Sequence, residues 1–324
     1  MVAFLCAMTG NALVLPAITG LIAAASWGLG CLMFDRVFRR SGPSERTPSA
    51  AGLNLFKNSL ATTCFVIAAL VMGSTYPSAG DFWPLLWSGV LGFAIGDSLY
   101  FAAFPLAGVQ VTAMIGNLTP PIAGLIAWIF LGESYRAETF LWMAVILAGV
   151  SLVILDPRKR QSQLTTDRKP RQLLWGLLFA LGAAVCQGGA IVIAHSSFEG
   201  VDLIPGTVVR LCGGLVAALV IAVFVSLLGG AKSSAGLAET IRPFLNVTLM
   251  RALLVPTFFA TLVSLPFHSA TVQTASGHLS ALLLSTSPLF ILPFGFKFGV
   301  RQGPVSVLGT LVGFGGVAGL IWAG

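Results

Sequence analysis

Charge is what this sequence has least of. Only 9% of its 324 residues are Asp, Glu, Lys or Arg, against roughly a quarter in an ordinary soluble protein, so a water-facing surface cannot be covered from that supply. Histidine is scarcer still, at three residues. The five cysteines, Cys6, Cys31, Cys64, Cys186 and Cys212, stand apart in apolar runs with no CxxC spacing. That excludes a disulfide framework or a zinc site, and they read as small buried hydrophobes. No Walker A sequence is present, which excludes an ATP-driven pump. Two near-motifs also fail. Ala94-Ile95-Gly96-Asp97 lacks the first glycine of an intramembrane aspartyl protease and has no second Asp within a span to share a proton. Ser276-Gly277-His278 lacks both the GxSG context and a separately placed base. The net charge of +7 does not point to nucleic acid, because the basic residues cluster in short segments between apolar runs.

Those apolar runs, 56% of the chain being hydrophobic, dominate what is present. A helix needs roughly 20 apolar residues to cross a bilayer. Ten stretches meet that requirement, near 13–34, 51–73, 82–104, 107–131, 138–155, 173–194, 204–228, 245–266, 271–297 and 304–323. The joins between the third and fourth and between the eighth and ninth are expected at Pro105 and near His268. The expected class is an all-α integral membrane protein without a cofactor or metal. The first stretch is too long and too little basic at its start for a signal peptide.

The longest polar linker, 156–172, carries six basic residues and separates 1–155 from 173–324, five stretches each. A shift of 167 residues superposes Pro121 on Pro288, Gly132 on Gly299 and Gly149 on Gly316; upstream, a shift of 160 sets Gly28 on Gly188, and 153 sets Lys57 on Arg210. A duplication with an odd number of spans makes the second copy cross in the opposite sense, the inverted-repeat plan of secondary transporters. Of 18 Lys and Arg residues, fourteen fall in odd-numbered loops and their edges, Arg136 in an even-numbered one, and Lys57, Arg210 and Arg251 within spans. Basic loops stay cytoplasmic, so both termini are expected outside, in a cell membrane such as a bacterial inner membrane. Monomer and homodimer both remain open.

An ionisable group inside the bilayer is costly, on the order of 2.5–3.5 kcal/mol at a helix centre, and marks function by default. Asp97 is the one carboxylate well inside a span. It can couple proton movement to conformational change, or serve as a structural partner of Lys57. Lys57, about one turn inside its span, is expected to snorkel to headgroups, as is Arg251. Arg210, followed by Gly213 and Gly214, is expected to face protein and to meet an anionic substrate or Asp97. Thr271, Thr274, His278 and Ser285 fall on one helical face, suited to a cavity wall, although His278 also fits a plain interhelical hydrogen bond. Gln110 and Asn117 lead into Pro120-Pro121, which breaks the backbone ladder near a binding level. Gln187 takes the repeat position of Trp27, so an amide and an aromatic can face one site, though Trp27 equally suits packing.

Asn117-Leu118-Thr119-Pro120-Pro121, Leu131-Gly132-Glu133 and Ala148-Gly149-Val150, with Ser26-Trp27-Gly28 and Gly96-Asp97-Ser98-Leu99-Tyr100-Phe101, together resemble the EamA family of the drug/metabolite transporter superfamily. The resemblance implies export or exchange of small polar metabolites or amphiphilic compounds through a cavity lined by the first four helices of each half, with the fifth and tenth peripheral. It makes Tyr100 a site residue beside Asp97, and Glu133 a structural acid at a helix end. The second half departs from it, with Gly299-Val300-Arg301 where the acid falls, and Lys57 stands where the family often has arginine. The expected function is a secondary active transporter, with an uncoupled facilitator, a membrane-embedded enzyme and a scaffold as the alternatives.

Overall fold

The computed structural model describes residues 13–40, 49–107, 112, 115–133, 136–155, 170–228, 240–241, 244–290, 294 and 303–323. Everything with regular structure among them is helical: α1 Val14–Arg40, α2 Ala50–Met72, α3 Ala79–Ala107, α4 Thr119–Leu131, α5 Ala137–Leu155, α6 Pro170–Ser197, α7 Leu203–Leu228, α8 Val247–Thr274, α9 Gly277–Leu284 and α10 Pro304–Ala323. Six of these are long and apolar enough to cross a membrane, namely α1, α2, α3, α6, α7 and α8, while α4, α5 and α10 are shorter apolar helices.

Local chemistry sets the ends. The Ser49 hydroxyl caps α2 by accepting from the Gly52 N–H at 3.0 Å, and Asn246 caps α8 from Leu249 at 2.9 Å, each satisfying one of the orphan donors of a first turn. At the other ends, Gly73 (φ 59°) and Gly132 (φ 67°) close α2 and α4 in the left-handed region, which glycine adopts without a Cβ penalty.

The surface is apolar, and the charges of the spans lie inside, set among an apolar core. Val71, Phe130 and Leu311 are 82%, 78% and 67% exposed, whereas Lys57, Asp97 and Arg210 are 3%, 5% and 1% exposed. A continuous apolar exterior of this kind fits lipid, and the chain is a multi-pass membrane protein. With no hydrophobic drive between helices in lipid, close packing rests on small residues. A Cβ at Gly89 would strike the backbone of Arg210, and one at Gly213 the Leu86 carbonyl, so α3 and α7 meet backbone to backbone. Gly149 and Gly309 do the same where α5 crosses α10.

The joins differ from expectation in two places. Helix α3 runs through Pro105 to Ala107. The break between α8 and α9 lies at the extended residue Ala275 and the cap Ser276, so His268 is inside α8. Both α3 and α8 carry a π-helical segment, Val90–Gly96 and Phe258–Val263. In each, the following residue opens a fresh α-helical stretch: Asp97 in one and Ser264 in the other.

Candidate substrate site

The π segment of α3 builds the site. Wider turns leave carbonyls outside the ordinary i→i−4 ladder, and side chains from two other helices receive them. Asn54 of α2 donates through Nδ2 to the carbonyls of Phe93 (3.0 Å) and Ala94 (3.1 Å) and to Ser98 Oγ (2.9 Å). Asn58, one turn on, donates to Phe93 O at 3.0 Å and Asn54 Oδ1 at 3.1 Å. Gln187 Nε2 of α6 reaches Gly92 O at 3.3 Å.

The same amides aim Asp97. Its Oδ2 lies 2.8 Å from Lys57 Nζ and its Oδ1 accepts from Gln187 Nε2 at 2.8 Å. Lys57 also donates to Asn58 Oδ1 at 3.2 Å. Lys57 therefore does not snorkel. It turns inward because a buried carboxylate repays its desolvation only when paired and hydrogen-bonded. Phe93 lies between the two buried cations of the bundle, 5.9 Å from Lys57 Nζ and 4.7 Å from the Arg210 guanidinium, measured to the ring centroid. Arg210 thus meets neither Asp97 nor a lipid headgroup. Its Nε donates to Ser88 Oγ at 2.9 Å.

A central cavity of about 190 Å³ opens on this cluster. At ~30 Å³ per water that is roughly six water volumes, room for a small metabolite and not for a polymer. Its wall comes from both halves of the chain: Ala24 and Trp27 on α1, Lys57 on α2, Phe93, Asp97 and Tyr100 on α3, Asn117 and Thr119 at the start of α4, Gln187 on α6, Thr261, Ser264 and His268 on α8, and Ser285 and Pro288 past α9. Of the residues singled out from sequence, Asp97, Tyr100, Asn117, Trp27, Gln187 and Lys57 come together here. Arg210 stands behind Phe93, and no residue of α5, α7 or α10 reaches the wall. The seventh helix is therefore peripheral to the cavity, unlike the arrangement the resemblance implies. Gln110 and 299–301 lie outside the described residues.

His278 belongs elsewhere. The stripe of Thr271, Thr274, His278 and Ser285 is broken at Ala275, and only Ser285 faces the cavity. Thr271 instead bonds Thr19 Oγ1 at 2.9 Å. His278 Nδ1 sits 3.4 Å from Glu133 Oε2 and 3.0 Å from Ser276 Oγ, while His195 Nε2 is 3.9 Å from Glu133 Oε1 and its Nδ1 is 2.9 Å from Val272 O. This cluster ties the ends of α4, α6, α8 and α9. Serine, histidine and glutamate meet there, but hydroxyl and carboxylate address the same ring nitrogen. A triad needs the two on opposite nitrogens, one to take the serine proton and one to be oriented.

His268, Ser264 and Thr261 were not singled out from the sequence. The 167-residue shift would have found two of them, since it sets Ser264 opposite Asp97 and His268 opposite Phe101.

Residues 14–155 match the EamA-like transporter family. This is the family whose motifs the sequence resembles. A crystal structure shares the fold with a TM-score of 0.65 over 94% of this chain and 95% of its own length, at 16% sequence identity. No curated protein matches by sequence.

Proposed function

We propose that this protein is a secondary transporter that moves small polar solutes by alternating access, its ten helices forming two inverted five-helix repeats with both termini outside. The observation that carries the reading is the cavity between the halves, mostly apolar in its lining, with a buried ion pair in its wall. Helix packing supports the repeat. Helix α1 packs along α8 and α9 as α6 packs along α3 and α4, α2 pairs with α7, and α5 pairs with α10. Exchanging the first five helices for the last five maps every one of these pairs onto another or onto itself. The matched π segments of α3 and α8 fall in register with that exchange. A site at the interface of inverted repeats is the usual place for a transporter's substrate.

Proton coupling through Asp97 is one mode of drive. A second reading, an uncoupled facilitator or exchanger, is favoured by the way both Asp97 oxygens are already occupied by Lys57 and Gln187. Purified protein in liposomes, offered a defined metabolite mixture with and without a pH gradient and read by mass spectrometry, separates the two. Solutes whose rate follows the gradient select coupling, and solutes that move regardless of it select the facilitator. The variant Lys57→Gln/Asp97→Asn removes the pair as neutral near-isosteres. It is expected to fold and to lose transport by at least tenfold, and wild-type uptake in it would remove the ion pair from the mechanism.

A further inference from the structure

We infer that the solute carried is a small organic anion, whose negative group supplies the counter-charge that Arg210 lacks. The inference rests on the transport reading above. Arg210 is 1% exposed, its Nη1 has no hydrogen-bond partner, and among the described residues no carboxylate pairs with it. A buried guanidinium in that condition is expensive, and such groups in membrane interiors mark ion or substrate pathways.

The two halves show where the missing charge belongs. Lys57 and Arg210 correspond at the 153-residue shift, and Asp97 and Ser264 at the 167-residue shift. Asp97 and Ser264 each directly follow a π segment and each lines the cavity. In the first half the cation has its carboxylate. In the second half the matching position is a hydroxyl, which donates to Ala23 O at 2.9 Å. The buried formal charges among the described residues are Lys57, Asp97 and Arg210, which leaves one positive charge uncompensated.

The hydrogen-bonding inventory of the wall has the same sign. Asn117, Thr261 and His268 are wall residues whose Nδ2, Oγ1 and Nδ1 are buried without a hydrogen-bond partner. An amide nitrogen only donates, and a hydroxyl or imidazole can donate, so all three can serve an acceptor. The one carboxylate in the wall is already taken by Lys57 and Gln187, leaving no free carboxylate to neutralise an ammonium group. Arg210 lies behind the Phe93 ring at 4.7 Å, and the His268 ring lies 6.4 Å from the same ring. One stretch of wall therefore carries the positive field and two of its neighbours. A monoanion balances the charge of this site, whereas a cation adds to the imbalance and a zwitterion leaves it unchanged.

The test uses the full chain in liposomes with a defined mixture of small anions, zwitterions, neutral polyols and organic cations, sorted by net charge after uptake. Anions are expected to be enriched over the other classes. Arg210→Gln should lower their uptake by about tenfold or more, the order expected for losing a unit charge set behind the wall of a low-dielectric site, and Arg210→Lys should restore part of it. Should Arg210→Gln not yield folded protein, Ser264→Asp decides the matter. It restores the missing carboxylate and is expected to abolish anion uptake in a protein at least as heat-stable as wild type. Enrichment of cations, zwitterions or neutral solutes over anions overturns the inference and leaves transport standing. So does unchanged anion uptake in Arg210→Gln or, if that variant does not fold, in Ser264→Asp. If no solute of any class moves in the wild type, the transport reading fails and this inference falls with it.

Discussion

Asp97 holds its charge between a cation from α2 and an amide from α6, so the worth of each partner depends on the others being present. Breaking a buried ion pair by removing one side costs about 3–5 kcal/mol, while replacing both sides by apolar residues of similar volume is often neutral. Lys57→Met alone is therefore expected to lower stability by that amount, and Lys57→Met/Asp97→Leu to recover most of it. Thermal unfolding in detergent gives both values, and additive losses in the double variant would show that the two side chains do not act as a pair. The depth of Lys57 and Asp97 in their spans was legible in the sequence, and so was the burial of Arg210, through the glycines that follow it. The direction of Lys57 was not. Spacing fixes how far a side chain sits from a helix end, but whether it turns to headgroups or inward depends on a carboxylate forty residues away, placed by tertiary contact. His278 takes the interhelical reading and not the cavity wall for a related reason, since a helical face has meaning only within an unbroken helix, and the chain breaks at Ala275.

The π segment of α3 is braced by side chains from α2 and α6 as well as by its own backbone. Asn54 is the sole hydrogen-bond donor described for the Ala94 carbonyl outside α3 and shares Phe93 O with Asn58. The Ala94 carbonyl keeps the Asp97 N–H and Phe93 O keeps Asn58, so Asn54→Leu is expected to destabilise by the worth of the bonds lost, about 0.5–1.5 kcal/mol each, and Asn54→Leu/Asn58→Leu, which also strips Phe93 O of both its amide donors, by more. Faster amide hydrogen exchange confined to 90–100 would accompany the loss, whereas unchanged protection there would mean that α3 keeps its π turn unaided. Apolar run length located the helices well, with 51–73 expected against Ala50–Met72 and 304–323 against Pro304–Ala323. The joins were harder to read. Proline was taken as a stop at Pro105, yet neighbouring helices and local π or 3₁₀ adjustments let membrane helices continue through proline. Neither π segment carries a local sequence signal of its own, and that of α3 is met by groups brought from other helices.

Contacts between the halves on one face of the molecule bear on how the cavity opens. Thr75, in the connection after α2, donates to Asp202, just before α7, at 3.0 Å. Glu133, past the end of α4, meets His195 of α6 and His278 of α9. All of these link the first half of the chain to the second, and all lie in or beside even-numbered connections, the face that the proposed orientation puts outside. Alternating access requires this face to part when one repeat rocks against the other. None of these residues lines the cavity, so joining them permanently should leave the binding wall untouched and still stop the cycle. Thr75→Cys/Asp202→Cys, bridged by a short, reductant-cleavable bifunctional thiol reagent, is therefore expected to lose at least nine-tenths of solute flux in liposomes, with recovery when the bridge is cleaved. The uncross-linked double variant and the two single variants treated with the same reagent should transport normally, which separates locking from simple modification. Full flux through the bridged protein would mean that these helices do not separate during transport, and a fixed pathway past the Lys57–Asp97 pair would replace the rocking mechanism.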